Sequence, residues 1–415
     1  MADRRRKAVM LVVDGLGDLP IPELDGQTPL EAAHTPNLDR MAAAGLYGLV
    51  DPLEPGRVPN TDSGVGVLLG LPPGQADCLR RGPVEAAGAG RPLRPGEIAV
   101  RANFATLEAR PNGLLVRDRR AGRITEGTQA LAQELNGLDL GGGVSTFFVP
   151  TDQHRGVLVL SGPGLDPEVS DTDPGDASGP ALLLTCEPLR PDAAASAGRI
   201  NAFIAEAHER LPGHPVNRAR EAAGKPPANG VITRGAGAWF EPDNVLVSRG
   251  LKAVTVAGCT TVRGLSKVLG WETLVRPTFT AALDTDLEGK VAAALGALNG
   301  HDIVYVHLKG PDIAAHDRMP LAKRDFLERF DRALGPLSAN GTIVALASDH
   351  TTDSNSGAHT ADPIPALIFD PENRRTGAPV RFSESACRAG NLPRMRSSEF
   401  LERVLARLDL TPFTS

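Results

Sequence analysis

The chain has 415 residues, which exceeds one ordinary hydrophobic core and predicts two domains. Its formal net charge of −6 excludes the basic surface that nucleic-acid binding by counterion release requires. Four scattered cysteines without CxxC spacing exclude a zinc ribbon and a disulfide scaffold. The apolar run Ala8–Val13 is too short for a signal-peptide core or a membrane span. We therefore expect a cytoplasmic protein that binds neither membranes nor nucleic acid.

Two apolar runs have the continuous, β-branched character of buried parallel strands, and both end in polar side chains. Asp14 directly follows Ala8–Val13, and Asp349 with His350 follows the run 342–347. Ligands of open α/β sheets collect beyond the carboxyl ends of such strands. The pattern therefore predicts an α/β fold whose parallel sheet gathers these side chains at one edge.

Helix signals lie between these strands. Thr35 is typical of an N-cap, Pro36 of a first helical residue and Gly45 of a helix stop. The spacing of Leu38 and Met41 predicts that this helix packs against the sheet.

A third apolar strand, Ile303–Leu308, is followed by Asp312 and, four residues later, by His316. If this segment is helical, both side chains lie on one face, in a recurrent metal-chelating arrangement. His359 lies in a loop rich in glycine, serine and threonine. Three carboxylates and three imidazoles are then available at strand ends, which is more than one ion requires. The sequence predicts a two-metal site whose O/N ligands suit Mn²⁺, Mg²⁺ or Zn²⁺.

The polar segment 57–66 carries hydroxyl side chains just before an apolar run, where a helix is predicted to begin. Unpaired backbone N–H groups at a helix N terminus favour an anion, and a hydroxyl beside a cation can ionise. Thr61 and Ser63 are the candidate nucleophiles, although such a stretch alone is more typical of an ordinary cap. Either hydroxyl would complete the two-metal site.

The composition changes between residues 83 and 229, where Pro, Gly and Asp become frequent and arginines cluster. Short strands and an amphipathic helix over 194–209 predict a second, α+β domain inserted into the first. Arginine forks suit carboxylate and phosphate groups, although each cluster alone also fits a solvated turn. The candidate substrate-binding residues are Asp118, Arg119, Arg120, Arg123, His154 and Arg155.

Ordered motifs along most of the chain resemble those of one known family. They are Val13-Asp14-Gly15, Thr35-Pro36-Asn37-Leu38-Asp39, Arg81-Gly82-Pro83-Val84-Glu85-Ala86, Arg101-Ala102-Asn103-Phe104-Ala105-Thr106, 118–123, Arg234-Gly235-Ala236-Gly237, 307–312 with His316, and Ser348-Asp349-His350 with 359–365. The family is the archaeal-type 2,3-bisphosphoglycerate-independent phosphoglycerate mutases, a branch of the alkaline phosphatase superfamily. The resemblance implies an alkaline-phosphatase-like core with a mostly parallel central sheet flanked by helices. Residues 1–82 and 230–415 would form this two-metal phosphoryl-transfer domain, and residues 83–229 an inserted substrate-binding domain.

The resemblance also implies how the ligands divide between the ions. One ion would be held by Asp312, His316 and His359. The other would be held by Asp14, Asp349, His350 and the nucleophile, which aligns at Thr61, with Ser63 as the second candidate. Mn²⁺ is the implied ion, with Mg²⁺, Zn²⁺ and Co²⁺ as alternatives, and no 2,3-bisphosphoglycerate is required.

Three positions depart from the family pattern. Thr61 stands where the family has serine, Val65 where it has histidine, and Arg263 where it has lysine. Arg263, the further candidate catalytic residue, keeps the positive charge but cannot deprotonate. These departures leave the metal chemistry intact and leave the substrate open.

The implied reaction moves the phosphoryl group of a small phosphorylated carboxylic acid to the nucleophile and back, interconverting 3-phosphoglycerate and 2-phosphoglycerate. Domain closure against water would give this mutase, whereas entry of water would give a phosphatase. One alternative is a hydrolase or mutase for another small phosphate or phosphonate, which the departures favour. Another is a catalytically silent metal- or ligand-binding homologue, which the complete ligand set disfavours. Assembly into a homo-oligomer stays open.

Overall fold

The computed structural model describes residues 6–76, 79–175 and 181–408. The chain divides into two compact units: unit 1 comprises residues 1–78 and 242–415, and unit 2 comprises residues 79–241. Both boundaries differ from those expected after residues 82 and 229. The reason is that Gly230–Ala238 pairs with the long strand Ile98–Arg110 of unit 2, and the helix Arg81–Gly88 packs against both strands. None of the helices in the described ranges combines the length and apolarity that crossing a membrane requires.

The strands are β1 (Ala8–Val13), β2 (Leu46–Asp51), β3 (Ile98–Arg110), β4 (Gly113–Asp118), β5 (Ser145–Pro150), β6 (Arg155–Ser161), β7 (Ala181–Leu182), β8 (Gly230–Ala238), β9 (Ala253–Val256), β10 (Glu272–Leu274), β11 (Ile303–Leu308), β12 (Ile343–Ala347), β13 (Thr351–Asp353), β14 (Ala358–Thr360), β15 (Ile364–Phe369) and β16 (Met395–Arg396). The α-helices are α1 (Pro29–Ala32), α2 (Pro36–Ala44), α3 (Thr61–Leu68), α4 (Pro73–Ala76), α5 (Arg81–Gly88), α6 (Thr128–Gln133), α7 (Ala194–Arg210), α8 (Pro215–Ala222), α9 (Val245–Ser248), α10 (Thr260–Val268), α11 (Leu287–Ala297), α12 (Gly310–His316), α13 (Pro320–Ala333), α14 (Gly335–Ala339), α15 (Glu384–Arg388) and α16 (Ser397–Leu405). Short 3₁₀ turns lie at Pro22–Leu24, Ala121–Arg123 and Pro191–Ala193.

The main sheet of unit 1 has the strand order β10-β9-β11-β1-β12-β15-β2-β16. The pairings from β10 through β12 are parallel, and β15 runs antiparallel to both of its neighbours. The three central strands β11, β1 and β12 are buried along their whole length, as their continuous apolar sequences predict. The predicted α/β class with a mostly parallel sheet is confirmed.

The core of unit 1 lies between this sheet and its helices. Val9, Leu11 and Val13 of β1 share one buried cluster with Leu38 of α2 and Phe326 of α13. Each such side chain, when fully buried, contributes about 1.5–3 kcal/mol. This packing fixes the positions of the strand ends.

The helix α2 has the predicted ends, since it runs from Pro36 to Ala44 with Thr35 and Gly45 as the flanking cap residues. The Thr35 side chain, however, makes no cap hydrogen bond. Instead, the buried carboxylate of Asp331 on α13 accepts from the backbone N–H of Leu38 at 2.8 Å. A carboxylate at a helix N terminus also interacts favourably with the helix dipole, so it serves as a stronger cap than a hydroxyl.

Unit 2 contains an antiparallel sheet with the order β5-β6-β3-β4-β7, and β8 also pairs with β3. Helix α7 covers a core in which the Phe148 ring lies 5.3 Å from that of Phe104 and 5.9 Å from that of Phe203. This sheet and its helices give unit 2 the α+β character that the sequence predicts.

Candidate active site

The carboxyl ends of β1, β11 and β12 bring the predicted ligands of unit 1 together. Leu308 pairs with Val13, and Ala347 pairs with Val12, so the three strands end at one level of the sheet. Asp14 follows β1 directly. Asp349 lies two residues after the end of β12, with Ser348 between them. Helix α12, which begins after β11, carries Asp312 and His316 on one face, with Nε2 of His316 3.3 Å from Asp312 Oδ1.

Two groups of side chains could each hold a metal ion. One consists of Asp312, His316 and His359, and the other of Asp14, Asp312 and His350, with ligand atoms within 4.8 Å of one another in each group. We call these five residues the metal edge. Asp312 belongs to both groups, whereas the resemblance implies only one ion for it.

Asp349 lies beside the second group. Its Oδ2 is 3.1 Å from His350 Nε2, and its Oδ1 accepts from the backbone N–H of Gly15 at 3.3 Å. Burial opposes the charged carboxylate, yet the adjacent His350 imidazole lowers the pKa of Asp349. The structure therefore places Asp349 next to the predicted ion without including it in the three-residue group.

All three imidazoles of the metal edge are oriented by their Nδ1 atoms. Nδ1 of His316 donates to the Gly357 carbonyl at 2.7 Å, and Nδ1 of His359 donates to the Pro59 carbonyl at 3.1 Å. Nδ1 of His350 lies 3.0 Å from Thr352 Oγ1, whose proton goes to Asp312. Because carbonyls only accept, Nδ1 of each of these two rings carries a proton, and the neutral form of each ring presents the lone pair of its Nε2 to the site, as metal-ligating histidines require.

The donor set fits a divalent cation. The Nε2 atoms of His316 and His359 lie 3.1 Å apart, although each Nδ1 holds the proton of its ring. Two facing lone pairs at that distance repel unless a cation or an added proton lies between them. The carboxylates of Asp14 and Asp312 are almost completely buried, and a buried carboxylate stays charged only when positive charge lies beside it. Oxygen and imidazole ligands without thiolate suit Mn²⁺, Mg²⁺ or Zn²⁺.

Glycines allow the elements of the site to approach each other. A Cβ on Gly64 would lie 2.3 Å from the Asp349 carbonyl oxygen, and a Cβ on Gly15 would lie 2.8 Å from the Asp312 Cα. Gly15 also has a φ of +66°, which L side chains rarely adopt. Helix α3, which carries both candidate nucleophiles, and the loop after β1 can therefore pack directly on the backbone of the site.

The two nucleophile candidates occupy different environments at the start of α3. Thr61 Oγ1 lies 3.4 Å from His350 Nε2 and therefore faces the metal edge. Ser63 Oγ instead donates to the Asn60 carbonyl at 3.1 Å and accepts from the Asn60 N–H in a capping box. The geometry thus favours Thr61, because the Ser63 hydroxyl is engaged in holding the helix end.

Two residues of β11 and its end also belong to the site, and the sequence did not single them out for it. Nε2 of His307, which we expected to be structural, lies 3.0 Å from Asp14 Oδ2. Lys309 Nζ lies 2.9 Å from Asp14 Oδ2 and 2.7 Å from Asp312 Oδ2. Burial opposes the charge of Lys309, but the two carboxylates raise its pKa above the usual value. A titratable side chain inside an otherwise apolar strand was the available signal, since such groups are rarely buried without a partner.

Arg263 lies on α10, which packs against α3. Its Nε is buried and finds no hydrogen-bond partner among the described residues. An unsatisfied guanidinium nitrogen on the helix that packs against α3 is compatible with an anion-binding role.

The predicted substrate residues of unit 2 differ in their contacts and in their exposure. Asp118 accepts from the backbone N–H groups of Arg120 and Gly122 at 2.8 and 2.7 Å, which holds a turn. Arg119 makes a bidentate pair with Asp173, both bonds at 2.6 Å. Arg120, Arg123 and Arg155 are exposed, and His154 is buried.

A set of basic side chains lies around His154, and we call it the arginine cluster: Arg81, Arg101, Arg120, Arg155, Arg234 and His154. Within it, Arg101 Nε, Arg234 Nε and His154 Nδ1 are buried without hydrogen-bond partners in the described ranges. Burial and the nearby arginines lower the pKa of His154 to about 4. Arg101 is paired with Glu85 at 3.1 Å, and burial lowers its pKa to about 9, so it stays charged at neutral pH. Unsatisfied donors under excess positive charge form a setting for an anion.

A mostly parallel α/β sheet whose carboxyl edge carries two O/N metal-binding groups beside a hydroxyl defines an alkaline-phosphatase-like enzyme of metal-dependent phosphoryl transfer. The family model for 2,3-bisphosphoglycerate-independent phosphoglycerate mutase matches residues 42–217. A mutase of that name from Methanopyrus kandleri is 43% identical over 89% of both chains, and one from Methanoculleus marisnigri is 40% identical over 96% of both. The chain therefore belongs to the 2,3-bisphosphoglycerate-independent phosphoglycerate mutase family, which confirms the resemblance.

Solved structures agree with this assignment. The cofactor-independent phosphoglycerate mutase from Thermoplasma acidophilum is 30% identical, with a TM-score of 0.68 over 97% of this chain and 100% of that one. A protein from Pyrococcus horikoshii is 29% identical, with a TM-score of 0.82 over 99% of both chains. The shared architecture thus extends over nearly the whole chain.

Proposed function

We propose that this enzyme interconverts 3-phosphoglycerate and 2-phosphoglycerate through a phosphothreonine on Thr61. The observation that carries the proposal is the position of Thr61 Oγ1, at the N terminus of α3 and 3.4 Å from His350 of the metal edge. The family to which the chain belongs supplies the reaction type.

The metal edge, together with Asp349 and Thr61, would hold two divalent ions, with Mn²⁺ preferred and Mg²⁺, Zn²⁺ or Co²⁺ as the alternatives. One ion would use Asp312, His316 and His359, and the other Asp14, Asp349, His350 and Thr61. When bound, such ions neutralise charge on the attacking hydroxyl and on the transferring phosphoryl group. No 2,3-bisphosphoglycerate is required.

In the forward step, Thr61 Oγ1 loses its proton and forms a bond to phosphorus, while the bond from phosphorus to the 3-oxygen of the substrate breaks. That oxygen takes up a proton, which leaves glycerate and phosphothreonine. The 2-hydroxyl of the same glycerate then loses its proton and attacks phosphorus, while the bond from phosphorus to Thr61 Oγ1 breaks. Thr61 Oγ1 takes up a proton, which gives 2-phosphoglycerate and the free threonine. Backbone N–H groups at the start of α3 favour the negative charge that develops there.

Within unit 2, we assign retention of the glycerate to the arginine cluster. Its unsatisfied buried donors, Arg101 Nε and Arg234 Nε, suit a carboxylate, and the His154 ring, whose buried Nδ1 has no partner in the described ranges, belongs to the same cluster. The exposed side chains of Arg120, Arg123 and Arg155 add positive charge, whereas Asp118 and Arg119 hold the turn and the Asp173 pair. Arg263, on α10 beside α3, is the proposed phosphoryl contact.

A hydrolase or mutase for another small phosphate or phosphonate is the second candidate. Its support is Val65, which places a completely buried apolar side chain in α3 where the family has an imidazole. The intact metal edge argues against a catalytically silent homologue, because its three imidazoles retain the orientation that ligation requires. Cytoplasmic location and self-association stay predictions from the sequence.

Phosphorus NMR of the protein with Mn²⁺ and 3-phosphoglycerate tests the proposal. Appearance of 2-phosphoglycerate supports the mutase. Release of inorganic phosphate alone indicates the hydrolase, and an unchanged spectrum indicates another substrate. The Thr61→Ala variant, which lacks the proposed nucleophile, is the negative control for both reactions.

A further inference from the structure

The ammonium group of Lys309 lies at the centre of the site. Its Nζ is 3.0 Å from Asp14 Oδ1, 2.7 Å from Asp312 Oδ2 and 3.1 Å from Thr61 Oγ1. Lys309 is the N-cap residue of α12, two residues before Pro311 and directly after buried β11. Its side chain is mostly buried, with 17% of its surface exposed.

Two other buried lysines of unit 1 show what a purely structural ammonium looks like here. Lys323 Nζ donates to the carbonyls of Gly17 and Thr352 and to Asp18 Oδ2. Lys290 Nζ donates to the carbonyls of Thr280 and His307. Both of those amines bind backbone carbonyls, and Lys323 also pairs with Asp18, which lies outside the metal edge. Lys309 instead contacts the side chains of Asp14, Asp312 and Thr61, so its hydrogen bonds can change during the reaction.

A cation hydrogen-bonded to a hydroxyl stabilises the alkoxide more than the alcohol, because the interaction strengthens as negative charge develops. When metal ions occupy the carboxylates, the bond from Lys309 to Thr61 is the one that does not compete with them for Asp14 or Asp312. After transfer, the former hydroxyl oxygen bridges to phosphorus. A donor 3.1 Å from it is then adjacent to the non-bridging phosphoryl oxygens.

We propose that Lys309 is a catalytic residue, which donates a hydrogen bond to Thr61 Oγ1 as it attacks and then to a phosphoryl oxygen of phosphothreonine. This inference rests on the proposed phosphothreonine chemistry. It adds a fixed positive charge from the chain itself, whereas Arg263 was the residue that the resemblance placed in a cationic role. Arginine at position 309 would keep the charge but could not occupy the same point between the carboxylates and the hydroxyl.

The rival role for Lys309 is that of a counter-ion that only holds Asp14 and Asp312 together. The two roles predict different behaviour in the metal-loaded protein. A counter-ion becomes dispensable once divalent ions neutralise the carboxylates, so phosphoryl transfer would survive its loss. A catalytic cation stays necessary when the ions are bound.

The test compares wild type, Lys309→Met and Lys309→Arg after loading with Mn²⁺ and gel filtration. Bound Mn²⁺ is measured by elemental analysis, and the phosphoenzyme is measured by intact mass after rapid quenching with 3-phosphoglycerate. We expect Lys309→Met to keep the Mn²⁺ content and the circular dichroism of wild type. Its phosphoenzyme should form about 10²–10³-fold more slowly, the usual cost of removing one preorganised donor to a developing oxyanion. Lys309→Arg should recover part of that rate.

Phosphoenzyme formation at the wild-type rate in Lys309→Met would overturn the proposal. So would a slow rate accompanied by lost Mn²⁺ in both variants, because that result assigns Lys309 to the ligand set. If wild type itself forms no phosphoenzyme from 3-phosphoglycerate, the proposed function fails. The same three proteins are then compared with p-nitrophenyl phosphate, and an equal rate in Lys309→Met and wild type rejects the catalytic lysine independently.

Discussion

The metal edge of unit 1 and the arginine cluster of unit 2 are both charged and partly buried, but they satisfy their polar atoms in opposite ways. In the metal edge, each imidazole has its Nδ1 fixed by an oxygen acceptor, and Asp14 and Asp312 both pair with Lys309. In the arginine cluster, buried nitrogens of Arg101, Arg234 and His154 have no protein partner in the described ranges. A preorganised centre suits chemistry, whereas unsatisfied donors suit a ligand that arrives and leaves.

Removal of the nucleophile should separate the two regions most sharply. Thr61→Ala should abolish the phosphoenzyme and lower turnover by on the order of 10⁴-fold or more, as loss of a nucleophile does in other enzymes. The arginine cluster is untouched, so binding of a non-reacting phosphorylated acid should persist. Intact mass after quenching measures the phosphoenzyme, and steady-state kinetics measure turnover.

Ser63→Ala is the matched control, because its hydroxyl lies two positions along the same helix and only caps it. It should retain turnover and lose about 0.5–2 kcal/mol of unfolding free energy. Full activity in Thr61→Ala together with inactivity in Ser63→Ala would reverse the assignment of the nucleophile.

Loss of one imidazole should damage the metal edge alone. His316→Ala removes a ligand from the group that also contains Asp312 and His359. Mn²⁺ affinity at that group should fall by at least about 100-fold, since losing only an outer partner of a ligand costs about 10–100-fold. Isothermal titration calorimetry should show one weakened site. His301→Ala, whose ring bonds only to the Ala297 carbonyl, should bind as wild type does; equal affinities in both variants would count against the ligand set.

The contrast also explains which site residues the sequence could indicate. Asp14, Asp312 and Asp349 follow apolar runs, so the carboxyl-edge rule placed them correctly on one side of the sheet. Whether each one ligates an ion needed distances, and Asp312 proved to belong to both groups. The choice of Thr61 over Ser63 likewise needed the capping box, because both hydroxyls lie in one helical turn.

For residues inside strands, the sequence did not indicate which groups their side chains contact. His307 was expected to be structural because strand position alone does not tell what a side chain touches; its contact with Asp14 depends on register between β1 and β11. Arg101 and Arg234 are register partners on the paired strands β3 and β8 of unit 2. The sequence motifs that contain them did not indicate this pairing. The same pairing carried β8 into unit 2, which is why the expected boundary after residue 229 lay too early.

Loss of an arginine from the arginine cluster should weaken substrate binding and leave the metal content unchanged. Arg234→Met removes a half-buried guanidinium whose Nε is buried and has no hydrogen-bond partner in the described ranges. Loss of Arg101 would instead leave the Glu85 carboxylate without its ion-pair partner. The KM for 3-phosphoglycerate should rise about 10–100-fold, the equivalent of a hydrogen bond to a charged group worth about 1.5–3 kcal/mol. Steady-state kinetics with Arg234→Lys as the charge-retaining control test this. An unchanged KM alongside reduced kcat would place Arg234 outside the binding site.

His154 in unit 2 and Glu384 in unit 1 are buried groups that respond to acid with opposite signs. Burial, reinforced by Arg155 and Arg120, lowers the pKa of His154 in unit 2 to about 4 from its ordinary 6.5. Its stabilising contribution is complete above pH 6.5 and is lost as the pH falls toward 4. Burial raises the pKa of Glu384 in unit 1 to about 7 from its ordinary 4.5. Its contribution is complete below pH 4.5 and is lost as the pH rises through 7.

Between pH 7 and pH 5, each group should change the free energy of unfolding by about 2 kcal/mol, in opposite directions. The neutral variants His154→Gln and Glu384→Gln isolate the two effects from every other titration in the chain. On acidification, the stability of wild type should fall by about 2 kcal/mol relative to His154→Gln and rise by about 2 kcal/mol relative to Glu384→Gln. Urea unfolding at several pH values measures both differences. Curves that stay parallel to wild type would mean that neither buried group titrates as its surroundings dictate, since the pH-dependence would then arise from side chains common to all three proteins.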